Sequence, residues 1–242
     1  MEAIVFVITV FIVGILISLV AAQMPKVAYK QWEADAKEYL NIKDEAATKQ
    51  PQSTIWDLHQ LKSELIVRKQ KHLCLAMLFL IACIPAWLYI HDPLAMGLIC
   101  GVIGCILVGA LVDWEHMYIP DETIVLGLGL AFSFLIIHGD NLEGHIIGAM
   151  VGYGFIAFLR WFFYRLRGIE GIGLGDAKML ALTGALIGVT DIFLSIIAAC
   201  IIAITLNLLS QRKQSKEIPF GPGIAISGLI FYHLQLLNEA LA

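Results

Sequence analysis

Charged residues are scarce in this chain: they fill 15% of its 242 positions, where an average soluble domain carries about 25%. There is no basic excess either. Sixteen Lys and Arg stand against twenty Asp and Glu, a formal charge of -4, so no nucleic-acid partner is expected. Five cysteines (Cys74, Cys83, Cys100, Cys105, Cys200) all lie inside apolar runs and none forms a CxxC pair. That spacing argues against a disulfide framework and makes zinc an unexpected ligand. The seven histidines are dispersed with no i, i+4 pair, so no metal site is expected from them. No GxxxxGK[ST] loop occurs. Gly171-Ile172-Gly173-Leu174-Gly175 fails as a dinucleotide fingerprint, because no strand precedes it and its last glycine is out of register.

What the chain has in excess is apolar surface: 59% of the residues are hydrophobic and the mean hydropathy is +0.81. A soluble core of this size cannot hide so much, since surface scales steeply with mass. Lipid must solvate much of it. A hydrocarbon core of about 30 Å needs roughly 20 apolar residues per helix. Runs of that kind are Ala3–Ala22, Leu73–Ile90, Leu94–Val112, Thr123–His138, His145–Phe163, Ala177–Val189, Ile192–Leu209 and Ile224–Leu241. The expected fold class is all-α: a polytopic membrane protein of about eight transmembrane helices. Ala3–Ala22 reads as a retained first span rather than a signal peptide, because no Lys or Arg precedes it. The expected divisions are residues 1–22 as that span, 23–71 as a small cytoplasmic helical subdomain, and 72–242 as a seven-span core. Gly97, Gly101, Gly104 and Gly109 on the third span read as close helix packing.

Eight spans place every Lys and Arg on one side. Nine lie in Gln23–Lys71; Arg160, Arg165 and Arg167 sit after the fifth span or in its last turn, Lys178 opens the sixth, and Arg212, Lys213 and Lys216 follow the seventh. The positive side is cytoplasmic, so the N-terminus is expected outside.

Two acidic residues at span ends then stand out, because ionisable groups in a membrane are costly and mark function by default. Asp113 closes the third span and Asp176 opens the sixth, both on the positive side. Two neighbouring carboxyls cannot both ionise easily and hold one proton between them. One then deprotonates a water while the other, protonated, polarises a carbonyl; this is the chemistry of aspartic peptidases. Gly173 and Gly175 allow a sharp turn and close approach of an extended substrate, and Pro120 prevents the Asp113 segment from continuing as one helix. An acidic residue at a helix start is also ordinary capping, and from spacing alone both readings stay open. Glu115 and Asp121 read as solvated flank charges, and Glu170 stays undecided.

Three blocks resemble the type IV prepilin leader peptidases, bacterial inner-membrane aspartic enzymes. Asp113-Trp114-Glu115-His116-Met117-Tyr118-Ile119-Pro120-Asp121 resembles the family's first aspartate motif. Glu170-Gly171-Ile172-Gly173-Leu174-Gly175-Asp176-Ala177-Lys178 resembles its GxGD block followed by x-Lys, and Ile218-Pro219-Phe220-Gly221-Pro222-Gly223 its IPFGP segment. The resemblance implies catalysis by Asp113 and Asp176, supported by Gly173, Gly175, Lys178, Pro120 and Glu170, with no cofactor for proteolysis. It implies prepilin or pseudopilin substrates, each a basic leader joined to a hydrophobic membrane helix and cut at the cytoplasmic face after a glycine. Many relatives carry two zinc-binding CxxC pairs in the first loop and also N-methylate the new N-terminus with S-adenosylmethionine. Those cysteines are absent from 23–71, which leaves the second activity open.

Three rivals are weighed against that resemblance. A presenilin-like intramembrane protease also uses GxGD but carries Pro-Ala-Leu near its last span, where this chain reads Pro219-Phe220-Gly221-Pro222. A transporter would place its carboxylates at broken helices near the midplane, not at span ends. A structural secretion subunit would have no reason to bring carboxylate loops together.

Overall fold

The computed structural model describes residues 2–39, 69–138, 141–168, 173–210 and 218–241. Among them there are helices and short connectors and no strand, as the apolar runs require. The helices are α1 (Glu2–Tyr39), α2 (Lys69–Tyr89), α3 (Pro93–His116), α4 (Asp121–His138), α5 (Leu142–Arg167), α6 (Leu174–Ser210) and α7 (Gly221–Leu241). All seven are long and apolar enough to cross a membrane. The chain is a multi-helix membrane protein.

Two contact units divide it, Met1–Leu78 and Phe79–Ala242, with the division falling inside α2. In the first, α1 is one helix of 38 residues, or about 57 Å at 1.5 Å per residue. The apolar first span and the start of the polar stretch after it are thus continuous. Gly14 sits where a Cβ would come within 2.8 Å of the Ala76 backbone, and Ser18 shares a 2.6 Å hydrogen bond with His72. The remainder of the expected cytoplasmic subdomain, 40–68, lies outside the described residues.

In the second unit, α6 has 37 residues but is not one rod, because Gly188 interrupts it at φ 75, ψ 179. That backbone conformation is open to glycine and costly for any residue with a Cβ. The chain folds back there: Asp176 and Cys200 are each twelve residues from Gly188, and both line one cavity. A straight helix would hold them about 36 Å apart. The limbs 174–187 and 189–210 therefore correspond to the sixth and seventh expected spans, with the turn two residues earlier than the Thr190-Asp191 joint. The fold-back leaves carbonyls at the end of the first limb without helical partners. His145 Nδ1 lies 2.9 Å from the Ala185 carbonyl, and Gln235 Nε2 donates to the Ile187 carbonyl at 2.7 Å.

The tightest helix packing is also at α6. A Cβ on Gly148 of α5 would lie 2.5 Å from the Gly184 carbonyl oxygen, and one on Gly152 equally close to that of Leu180. Small residues four apart let these backbones touch, which compensates for the lack of a hydrophobic drive between helices in lipid. The third-span glycines are mixed: a Cβ on Gly101 would lie 2.8 Å from Leu130 Cδ1 of α4, Gly109 would make ordinary contacts, and nothing lies within 4 Å of one at Gly97.

Candidate active site

Asp113 is reached through the end of α3. Asp92 caps the start of this helix, accepting from the Ala95 N–H at 2.8 Å, with Pro93 at its first position. The other end stops at His116, four residues before Pro120, where the proline ring would collide with a continuing helix. Met117 makes the break itself, in a left-handed conformation at φ 55, with its N–H bonded to the Asp113 carbonyl. Pro120 is buried and directly precedes α4. Asp113 is thus the last-turn acid of α3, and its side chain is 6% exposed.

A buried carboxyl needs partners. One comes from the far end of the chain: the Gly221 N–H donates to Asp113 Oδ2 at 2.8 Å. Gly221 is the first residue of α7, so this N–H is among those a helix start leaves unsatisfied. Any larger residue would displace the acid, because a Cβ on Gly221 would sit 2.8 Å from Oδ2 and 3.0 Å from the Asp113 Cβ.

Asp176 lies in the first turn of α6 and is half-buried. A carboxyl in the first turn suits the positive end of the helix dipole, so the capping role left open by the sequence stays available. It does not exclude the other role. Asp113 and Asp176 are near enough to act on each other electrostatically and line the same cavity of about 900 Å³. Two acids 63 positions apart are brought to one end of the bundle.

Of the expected supporting residues, Gly173, Gly175 and Lys178 line this cavity. A Cβ on Gly175 would press to 3.2 Å from that of Ile119, so the two aspartate segments meet at this glycine. Glu170 lies outside the described residues. Asp121 differs from its reading as a merely solvated flank charge. Although largely exposed, its Oδ1 pairs with Lys178 Nζ at 2.6 Å, tying the start of α4 to the start of α6. Glu115 approaches neighbouring His116 at 4.0 Å. Gly221 belongs to a recognised block but was not singled out; its role depends on a contact 108 residues away. The other cavity walls also lay beyond sequence reading: Phe155, Ile156, Leu159 and Arg160 of α5, and Ile196 and Cys200 of α6. Tyr118, in the connector at the cavity edge, has its hydroxyl pKa raised by partial burial and by the nearby Glu122 and Asp121 carboxylates. No group of three or more metal-binding side chains occurs among the described residues.

Membrane helices that hold two facing carboxyls in one cavity define the class, a polytopic membrane aspartic peptidase. The model of the type IV leader peptidase family matches residues 100–208, a stretch that spans both aspartates. Curated relatives agree along most of the chain. A prepilin leader peptidase/N-methyltransferase of Aeromonas hydrophila is 28% identical over 90% of this chain and 86% of its own length. Its counterpart in Pseudomonas aeruginosa is 28% identical with the same two coverages. One from Dichelobacter nodosus is 32% identical over 59% of this chain and 50% of its own. No solved structure matches the chain.

Proposed function

We propose that this protein is a bacterial inner-membrane peptidase that removes the leader of prepilins or pseudopilins, with Asp113 and Asp176 as its catalytic pair. The observation that carries the reading is the meeting of these two acids in one cavity, one of them anchored by Gly221. Between them the pair holds one proton. A water lodged there gives its proton to the ionised carboxylate as its oxygen attacks the scissile carbonyl carbon. The protonated carboxyl gives its own proton to the carbonyl oxygen. The tetrahedral intermediate collapses with proton transfer to the leaving amine, and the pair is reset. The charged cavity edge, with Asp121, Lys178 and Arg160 beside the pair, suits a polar, charged leader. The positive side of the bundle, with the site at its surface, faces the cytoplasm in this reading.

A second reading adds N-methylation of the new N-terminus, because relatives bearing both names align over 90% of this chain. This chain's polar stretch offers no cysteine pair for zinc, and no step is assigned to S-adenosylmethionine.

Detergent-purified protein should cleave a prepilin at its leader junction, while Asp113→Asn and Asp176→Asn leave it intact. Either variant working at the wild-type rate would end the paired-aspartate mechanism. Including S-adenosylmethionine and weighing the mature product decides the second activity: a gain of one methyl group supports it, and an unchanged mass removes it.

A further inference from the structure

The aspartate cavity is sunk below the ends of two longer helices. α3 stops three residues after Asp113, and α6 starts two residues before Asp176. By contrast, α5 continues seven residues past Arg160 and the second limb of α6 ten past Cys200, about 10 and 15 Å further. These two helices therefore stand as walls beyond the pair. Their cavity-facing sides are mostly apolar and sit at helical spacing, with Phe155, Ile156 and Leu159 on one beside a single cation, Arg160, and Ile196 and Cys200 on the other. Cys200 is level with Asp176 across the Gly188 turn, so this apolar lining reaches the depth of the acids. One turn beyond Arg160 on α5, Trp161, Phe162, Phe163 and Tyr164 are all exposed. Such a belt marks the membrane–water boundary and places the cavity at or just beneath it.

We infer that the seam between α5 and the second limb of α6 is the docking groove for the substrate's apolar membrane helix. The inference rests on the peptidase reading above and names which helices receive the substrate. Three observations select this occupant over lipid alone. The seam opens into the cavity that holds both acids, so whatever fills it touches the reacting bond. The size fits: a helical turn about 10 Å across occupies roughly 420 Å³, and the cavity of about 900 Å³ takes two such turns, or one turn plus an extended junction. The polarity also changes along the cavity, apolar beside Ile196 and Cys200 and charged beside Asp121, Lys178 and Arg160, matching an apolar helix joined to a charged leader. A substrate helix already in the bilayer enters sideways and presents its unwound junction to the pair.

The test uses the full-length protein in detergent with two synthetic substrates. One is a basic leader ending in glycine joined to a 20-residue apolar helix; the other is the same leader and junction without the helix. Cys74→Ser leaves Cys200 as the exposed thiol among the described residues. A single cysteine placed one or two turns after the cleavage site should cross-link to Cys200, and one near the far end of the helix should not. Alkylating Cys200 with a bulky maleimide, or making Leu159→Trp, should lower the kcat/KM ratio of helix-bearing to short substrate at least tenfold. Leu208→Trp, exposed on the same limb away from the cavity, should leave that ratio unchanged. An unchanged ratio after complete labelling, with no cross-link, would overturn the groove and assign the seam to lipid. Equal loss on both substrates would also overturn it, by making Cys200 part of the pair's support. Failure of the unmodified protein to cut either substrate would instead strike the peptidase reading.

Discussion

Helix α6 carries an aspartate near each end of its first limb, and the two have opposite surroundings. Asp191, just past the Gly188 turn, accepts from Gln235 Nε2 at 2.6 Å, and the same amide also holds the Ile187 carbonyl. Its neighbours complete a turn. Asp176, at the other end, faces a second carboxyl and a cavity. A carboxylate beside an amide donor is already satisfied and serves the fold. One beside another carboxylate, open to a substrate-sized space, has the surroundings that paired-acid chemistry needs.

The widest separation between the two ends is expected in activity. Asp113→Asn and Asp176→Asn should each lower leader cleavage by at least about a thousandfold, since groups acting as a unit fail together. Asp191→Asn should stay within about twofold, and a large loss there would erase the contrast. Next comes Gly221→Ala. Its new methyl would press on Asp113, and overpacking of this kind costs about 1–3 kcal/mol. If that strain falls on the transition state, kcat drops roughly 10–100-fold. Gly97→Ala, with open space around it, provides the neutral comparison by the same kinetic assay.

At the turn end the effect should be on stability instead. Gly188→Ala forces a Cβ into an extended positive-φ conformation that only glycine adopts readily and should cost about 1–3 kcal/mol, read as a lower Tm in detergent with kcat per folded molecule kept. The smallest effect belongs to the exposed Asp121–Lys178 pair, worth at most about 1 kcal/mol to stability. Lys178→Met should reduce kcat a few-fold by loosening the two aspartate segments. The charge swap Asp121→Lys with Lys178→Asp should restore part of that loss, and no recovery would deny the pair a positioning role.

Much of the architecture was legible in the chain. Length and polarity of the apolar runs located the helices: seven among the described residues are long enough to span, and α6 bends at Gly188 where two runs were expected. The first boundary was harder to read: α1 runs unbroken past Ala22 to Tyr39, since nothing local stops a helix where its residues turn polar. The glycine spacing on α3 looked like a packing face, yet the closest approach lies between α5 and α6. Spacing alone does not say which neighbour a face meets.

Sequence by itself determined the membrane class, the helix positions and the two acids as the chemistry to explain. Transfer to lipid is decided residue by residue over about 20 positions, so it can be read locally. Only the tertiary structure decided that Asp113 and Asp176 share a cavity, that Gly221 holds the first of them, and that α5 and α6 wall the approach. Those facts join segments up to 108 residues apart, and no local periodicity encodes such a meeting. For Asp176 the structure leaves capping and a place beside Asp113 compatible, because a first-turn carboxyl of α6 can also line the cavity that Asp113 lines.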